Sequence, residues 1–151
     1  MEKTMKKSLF FIAAVLLSFT AAAQSPETLS QIIQSEHSTC GQMAYLYCVY
    51  SELIPETATF EEAFSVFQKN FPIKKRLESS SPVTLSDLSL TCAKLSGLKG
   101  GLFYSIFKNR RYAFKELQAK GILPADADPS DNPSGRNLIE VFNGCMEQKE
   151  E

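Results

Sequence analysis

Seven bases fall between Lys94 and Lys120 with one acid, Glu116, among them, and aromatic residues are interleaved with the bases. Lysine and arginine pair with carboxylates and phosphates, while aromatic faces stack on sugars or on guanidinium groups. Lys99, Tyr104, Lys108, Arg110, Arg111 and Tyr112 are the candidate ligand-binding residues of this stretch. Phe103, Phe107 and Phe114 are expected in the core, whereas Tyr104 and Tyr112 suit a surface that is part apolar and part wet.

Other reactive residue types assemble less chemistry. His37 is the sole histidine, three residues before Cys40. A zinc site wants three or four ligands and a nucleophilic couple wants an orienting third group, and nothing near His37 in sequence supplies them. Asp126, Asp128 and Asp131 resemble the start of a calcium loop, but the sixth and twelfth positions hold Asp131 and Asn137 instead of Gly and Glu. The expectation is therefore no metal, no cofactor and a solvated acidic loop. Glu36, Glu61, Glu62 and Glu116 sit where helix-surface charge is expected, so no catalytic residue is assigned and the chain is not read as an enzyme.

The four cysteines, Cys40, Cys48, Cys92 and Cys145, are disulfide candidates if the chain is exported. Eight residues along one helix separate Cys40 from Cys48 by about 12 Å, beyond the ~7 Å that a bridge spans. A 40–48 pairing together with 92–145 is accordingly disfavoured. At least one disulfide is expected ahead of four buried thiols.

Export itself is read from residues 1–23. Lys3, Lys6 and Lys7 precede an apolar run from Leu9 to Phe19, and Ala21, Ala22 and Ala23 supply the small residues of a cleavage site. The run is shorter than the ~20 residues that a membrane-spanning helix needs. The expected product is periplasmic or extracellular, has no transmembrane segment after cleavage near Ala23, and contains 13 bases against 16 acids. Charge is segregated along it: residues 24–68 carry six acids and no base, residues 69–120 eleven bases and three acids, and residues 121–151 two bases and seven acids. Such a centre suits an anionic partner, or is neutralised by its own acidic ends. Nucleic acid is disfavoured by compartment and by net charge.

Helical periodicity dominates the elements that must position these residues. Helices are expected from about Thr39 to Leu53, from Thr59 to Phe71, from Thr84 to Gly97 and from Arg110 to Lys120, with a short turn at Phe103–Phe107 and a last helix opened by Ser134. Thr59 with Glu62, and Thr84 with Asp87, have capping-box spacing. Pro55, Pro72, Pro124, Pro129 and Pro133 punctuate the chain. The fold class is all-α: a small bundle of five to six short helices with proline-containing loops. Residues 24–38 are read as a flexible lead, 39–146 as one helical domain and 147–151 as a disordered tail.

Two stretches match at an offset of 50 residues. Ala63, Phe64, Gln68 and Leu88 recur as Ala113, Phe114, Gln118 and Leu138, with Thr84 and Asp87 recurring as Ser134 and Asn137. The helix from Thr39 would be the second half of an earlier unit. Tyr112-Ala113-Phe114 to Lys120-Gly121-Ile122, followed by Asp128-Pro129, Asn132-Pro133 and a Ser-initiated helix, resembles a degenerate S-layer-homology repeat. Leu98 to Tyr104 and Arg110 to Ala113 resemble small uncharacterised exported proteins of spirochaetes. The resemblance implies helix–loop–helix units and binding to wall polymer. The Thr-Arg-Ala-Glu of that family appears here as Thr84-Leu85-Ser86-Asp87 and Ser134-Gly135-Arg136-Asn137, so the capping positions survive and the arginine at the second position does not.

The functional expectation is a non-catalytic exported envelope module that binds a cell-wall glycan, another anionic envelope component or an acidic protein through the basic and aromatic centre. A structural or assembly factor working by protein contacts is the alternative, and a small secreted hydrolase is the second.

Overall fold

The computed structural model describes residues 24–71, 77–98 and 100–148; the expected export segment and Lys99 lie outside them. Seven helices are described: α1 (Gln24–Gln34), α2 (Cys40–Tyr50), α3 (Phe60–Asn70), α4 (Leu85–Leu95), α5 (Leu102–Phe107), α6 (Arg110–Ala119) and α7 (Gly135–Glu147). Among the described residues there is no strand, and one isolated bridge joins Thr39 to Pro82. The all-α bundle expected from the periodicity is the fold observed.

Local chemistry starts most of these helices. Thr39 and Thr59 form full capping boxes with Gln42 and Glu62. Thr84, Asn109 and Ser134 each accept the backbone N–H three residues on. Asp87 departs from the box pattern: its carboxylate accepts from the Thr84 hydroxyl at 2.8 Å and pairs with Arg110. Helix α2 ends at Tyr50, short of Leu53, because Glu52 turns the chain with φ 55°.

Apart from α5, the helices fall into three helix–loop–helix units: α1 with α2, α3 with α4, and α6 with α7. The 50-residue sequence offset has a structural counterpart. Ala63, Phe64 and Phe67 on α3 are buried, as are Ala113, Phe114 and Leu117 on α6. Gln68 Nε2 donates to the Leu77 carbonyl at 3.4 Å, and Gln118 Nε2 donates to the carbonyls of Pro124, Ala125 and Ala127. Leu77 and Ala127 are themselves 50 apart, so the matched glutamines pin corresponding loops.

The units are joined in a ring. Helix α3 packs on α2, α6 on α4, and α1 on α7, so that each outer helix lies on the inner helix of the unit before it. The first residue of each inner helix donates its N–H to a loop of another unit: Cys40 to Ser81 O at 2.8 Å, Leu85 to Asp131 O at 2.9 Å and Gly135 to Ser35 O at 2.9 Å. These bonds satisfy donors that a helix N-terminus otherwise leaves open.

Residues 38, 83 and 133, each one position before a cap, form a second and smaller ring. Ser38 N–H donates to Pro133 O at 2.8 Å and Val83 N–H to Ser38 O at 3.1 Å. Proline has no N–H to close the circuit. The neighbouring Asn132 carboxamide supplies it, donating through Nδ2 to Val83 O at 2.6 Å and to Ser38 O at 2.8 Å. Met43, Leu88 and Leu138, four residues after the three caps, are all buried in the core.

Two expectations are corrected here. Residues 24–34, read as part of a flexible lead, form α1; Ile32 is fully buried, and docking on α7 stabilises a helix whose own sequence offers few apolar anchors. The four cysteines are all buried, and none of them is joined in a disulfide. Cys40 and Cys48 do share one helix, while Cys92 and Cys145 meet as a hydrogen-bonded thiol pair between α4 and α7. Hydrogen bonding to Cys145, and then burial in the apolar core, raise the Cys92 thiol well above its ordinary range.

Candidate functional site

Helix α6 carries the site. Arg111 and Lys115 are one turn apart and exposed, while Ala113, Phe114 and Leu117 on the opposite side enter the core. The apolar residues fix the helix roll, and the roll aims the cations outward.

A cleft of about 430 Å³ lies between α6 and the start of α5, lined by Gly101, Tyr104, Arg111, Tyr112, Lys115 and Glu116. Glu116 Oε2 accepts the Gly101 N–H at 2.9 Å and so ties the α5 entry to α6. Tyr104 is only 5% exposed and forms the cleft floor. Burial, and then the Glu116 carboxylate, raise its phenol above the ordinary 10.0, so it remains a neutral hydroxyl at physiological pH. Tyr112 is half-buried, and its ring stacks on Phe107 with centroids 5.3 Å apart and planes 21° apart.

The six sequence-selected residues therefore separate. Tyr104, Arg111 and Tyr112 come together in the cleft. Arg110 is committed elsewhere, its Nη1 lying 2.8 Å from Asp87 Oδ1. Lys108 is exposed at the α5–α6 corner, in the left-handed region at φ 39°. Lys99 lies outside the described residues. Lys115 and Glu116 were not selected from sequence, although the four-residue step from Arg111 to Lys115 on a helix was a legible signal. Of the remaining bases, Lys94 lies 4.4 Å over the Phe71 ring. Arg110 pairs with Asp87 of the central stretch, and among the described residues no ion pair joins Lys108, Arg111 or Lys115 to the acidic ends.

Other clefts carry the opposite charge. One of about 700 Å³ is bordered by Asp126, Asp131 and Glu140, and one of about 400 Å³ by Glu27 and Glu61. Only the α5–α6 cleft, among these three, presents an arginine and a lysine together. Its chemistry is that of an anion site with an aromatic wall. His37 is exposed, and Asp128 is engaged by Ser130, which donates from both its N–H and its hydroxyl and holds the carboxyl below its ordinary range.

No protein-family model, curated protein or solved structure matches this chain. The geometry of the cleft is accordingly the basis for a functional reading.

Proposed function

We propose that the chain is a non-catalytic module of the cell envelope that binds an acidic wall glycan in the α5–α6 cleft. The observation that carries this reading is the placement of Arg111 and Lys115, exposed on one face of α6, beside the Tyr104 and Tyr112 rings. Arginine and lysine supply charge-assisted hydrogen bonds to a carboxylate or phosphate, and a tyrosine face accepts the apolar side of a sugar ring. The ring of helix–loop–helix units supports the likeness to S-layer-homology repeats. The inner helices begin with Cys40, Leu85 and Gly135 where that family carries arginine. In this chain the cations come from an outer helix instead.

Retention on isolated cell wall tests the reading. Arg111→Ala/Lys115→Ala is expected to weaken retention by about tenfold or more and to flatten its salt dependence. Arg110→Ala should leave retention within about twofold, because that side chain serves Asp87. Equal binding of all three proteins, independent of salt, would overturn the proposal.

A second reading, assembly through protein contacts, draws on the exposed Leu29 and Ile33 one turn apart on α1. Its mark would be a salt-insensitive oligomer on size exclusion.

A further inference from the structure

The corner between α5 and α6 presents the two most exposed large hydrophobic residues described. Ile106 is 62% exposed and Phe107 55%, against 43% for Ile33, the next in order. They are consecutive and end a helix of six residues, after which Lys108 turns the backbone through the left-handed region. Neither residue borders the clefts described above, and the turn leaves the pair exposed as an apolar tip. Lys108, Arg111 and Lys115, all exposed, follow within eight residues of Phe107 and bring positive charge to this corner.

We propose that this tip docks the protein on an anionic lipid surface, with Ile106 and Phe107 entering the boundary between headgroups and acyl chains while the neighbouring cations contact lipid phosphates. Two features decide the occupant. Charge complementarity calls for a negative surface, since Lys108, Arg111 and Lys115 enter no ion pair among the described residues. Size argues against a protein partner: two exposed side chains fall far short of the ~800 Å² per partner that a stable interface buries. Shallow apolar insertion backed by basic residues is the ordinary mode of peripheral membrane binding. The Phe107–Tyr112 stack keeps one face of the Phe107 ring covered in water, so the tip is held in shape before it docks. The proposal does not depend on what occupies the neighbouring cleft.

Vesicle co-sedimentation of the chain from Gln24 onward, which holds every described helix and omits the apolar run at Leu9–Phe19, tests it. The protein is expected to bind vesicles containing about one third phosphatidylglycerol at least tenfold more tightly than pure phosphatidylcholine vesicles, and to be released by salt. Ile106→Ser/Phe107→Ser should abolish that binding. Ile106→Ser alone, which spares the Phe107–Tyr112 stack, should reduce it about tenfold without a change in melting temperature. Equal binding to both vesicle types, or undiminished binding by both tip variants, would overturn the proposal. So would a lipid-free dimer that the tip substitutions dissociate, because the pair would then cover a second copy.

Discussion

Replacing Asn132 with alanine is expected to cost about 2 kcal/mol or more, because the carbonyls of Ser38 and Val83 lose the donor they share and Pro133 offers none. Asn132→Asp should be worse than alanine at neutral pH, since it sets a carboxylate against two carbonyl oxygens. Urea denaturation of the three proteins checks that order, and an alanine variant as stable as the parent would show that the small ring is not closed by this side chain. The cysteines give a second prediction at this scale. Burial pushes the Cys48 thiol from 9.0 up to about 11. Its folded pKa lies above its unfolded one, so the associated stability is complete below 9.0 and is lost as pH rises towards about 11. The raised phenols of Tyr45 and Tyr104 act in the same direction. Melting temperature should therefore fall through that alkaline window, and alkylation at about pH 8 should label none of the four thiols until the protein is unfolded.

Among the elements, α7 is seated on the end of α1 with no room for a methyl group at Gly135. A Cβ built on Gly135 would come within 1.6 Å of the Ile32 carbonyl oxygen, a backbone atom that cannot rotate aside. Gly135→Ala is expected to destabilise by about 3 kcal/mol or more, a large effect for one methyl group, by forcing α1 away from α7. Hydrogen exchange should then speed up in α1 and in the 133–135 stretch before α3 or α6 responds; a uniform change across the chain would contradict the placement of this contact. The short α5 behaves differently, because little in its own sequence sets its orientation. It follows Gly100 and Gly101, and the bond from Gly101 N–H to Glu116, fifteen residues away, anchors its start. That is why Phe107, expected in the core, is exposed, and Tyr104, expected at a mixed surface, is nearly buried. The caps, by contrast, are local: Thr59, Thr84 and Ser134 announce α3, α4 and α7 because their oxygens meet donors three residues on.

At the scale of the whole molecule, charge segregation along the chain and charge segregation in space are different things. Glu27 and Glu61 border one cleft, Asp126, Asp131 and Glu140 another, and neither cleft takes in the exposed Arg111 and Lys115 of α6. Matching residues 50 apart made two of the three units visible in sequence, and Gln68 and Gln118 explain why: each is selected by loop carbonyls as well as by helix pattern. The first unit was hidden because α1 has one fully buried side chain, Ile32, and owes its order to a partner more than 100 residues away in sequence. The cleft was legible in its cations and not in its floor, since a helical stripe is a local pattern and the path of a six-residue helix is not.

The bond from Gly135 to Ser35 joins the two ends of the described chain, and that has a consequence in time as well as in space. A chain made from its N-terminus can pair α3 with α2 early, through contacts of low sequence separation. Helix α1 finds its seat only after α7 has been made, so Ile32 waits uncovered until then. Assembly of the described helices therefore finishes with one long-range closure, and a chain that still lacks α7 is distinguishable from one that has it by an accessible α1.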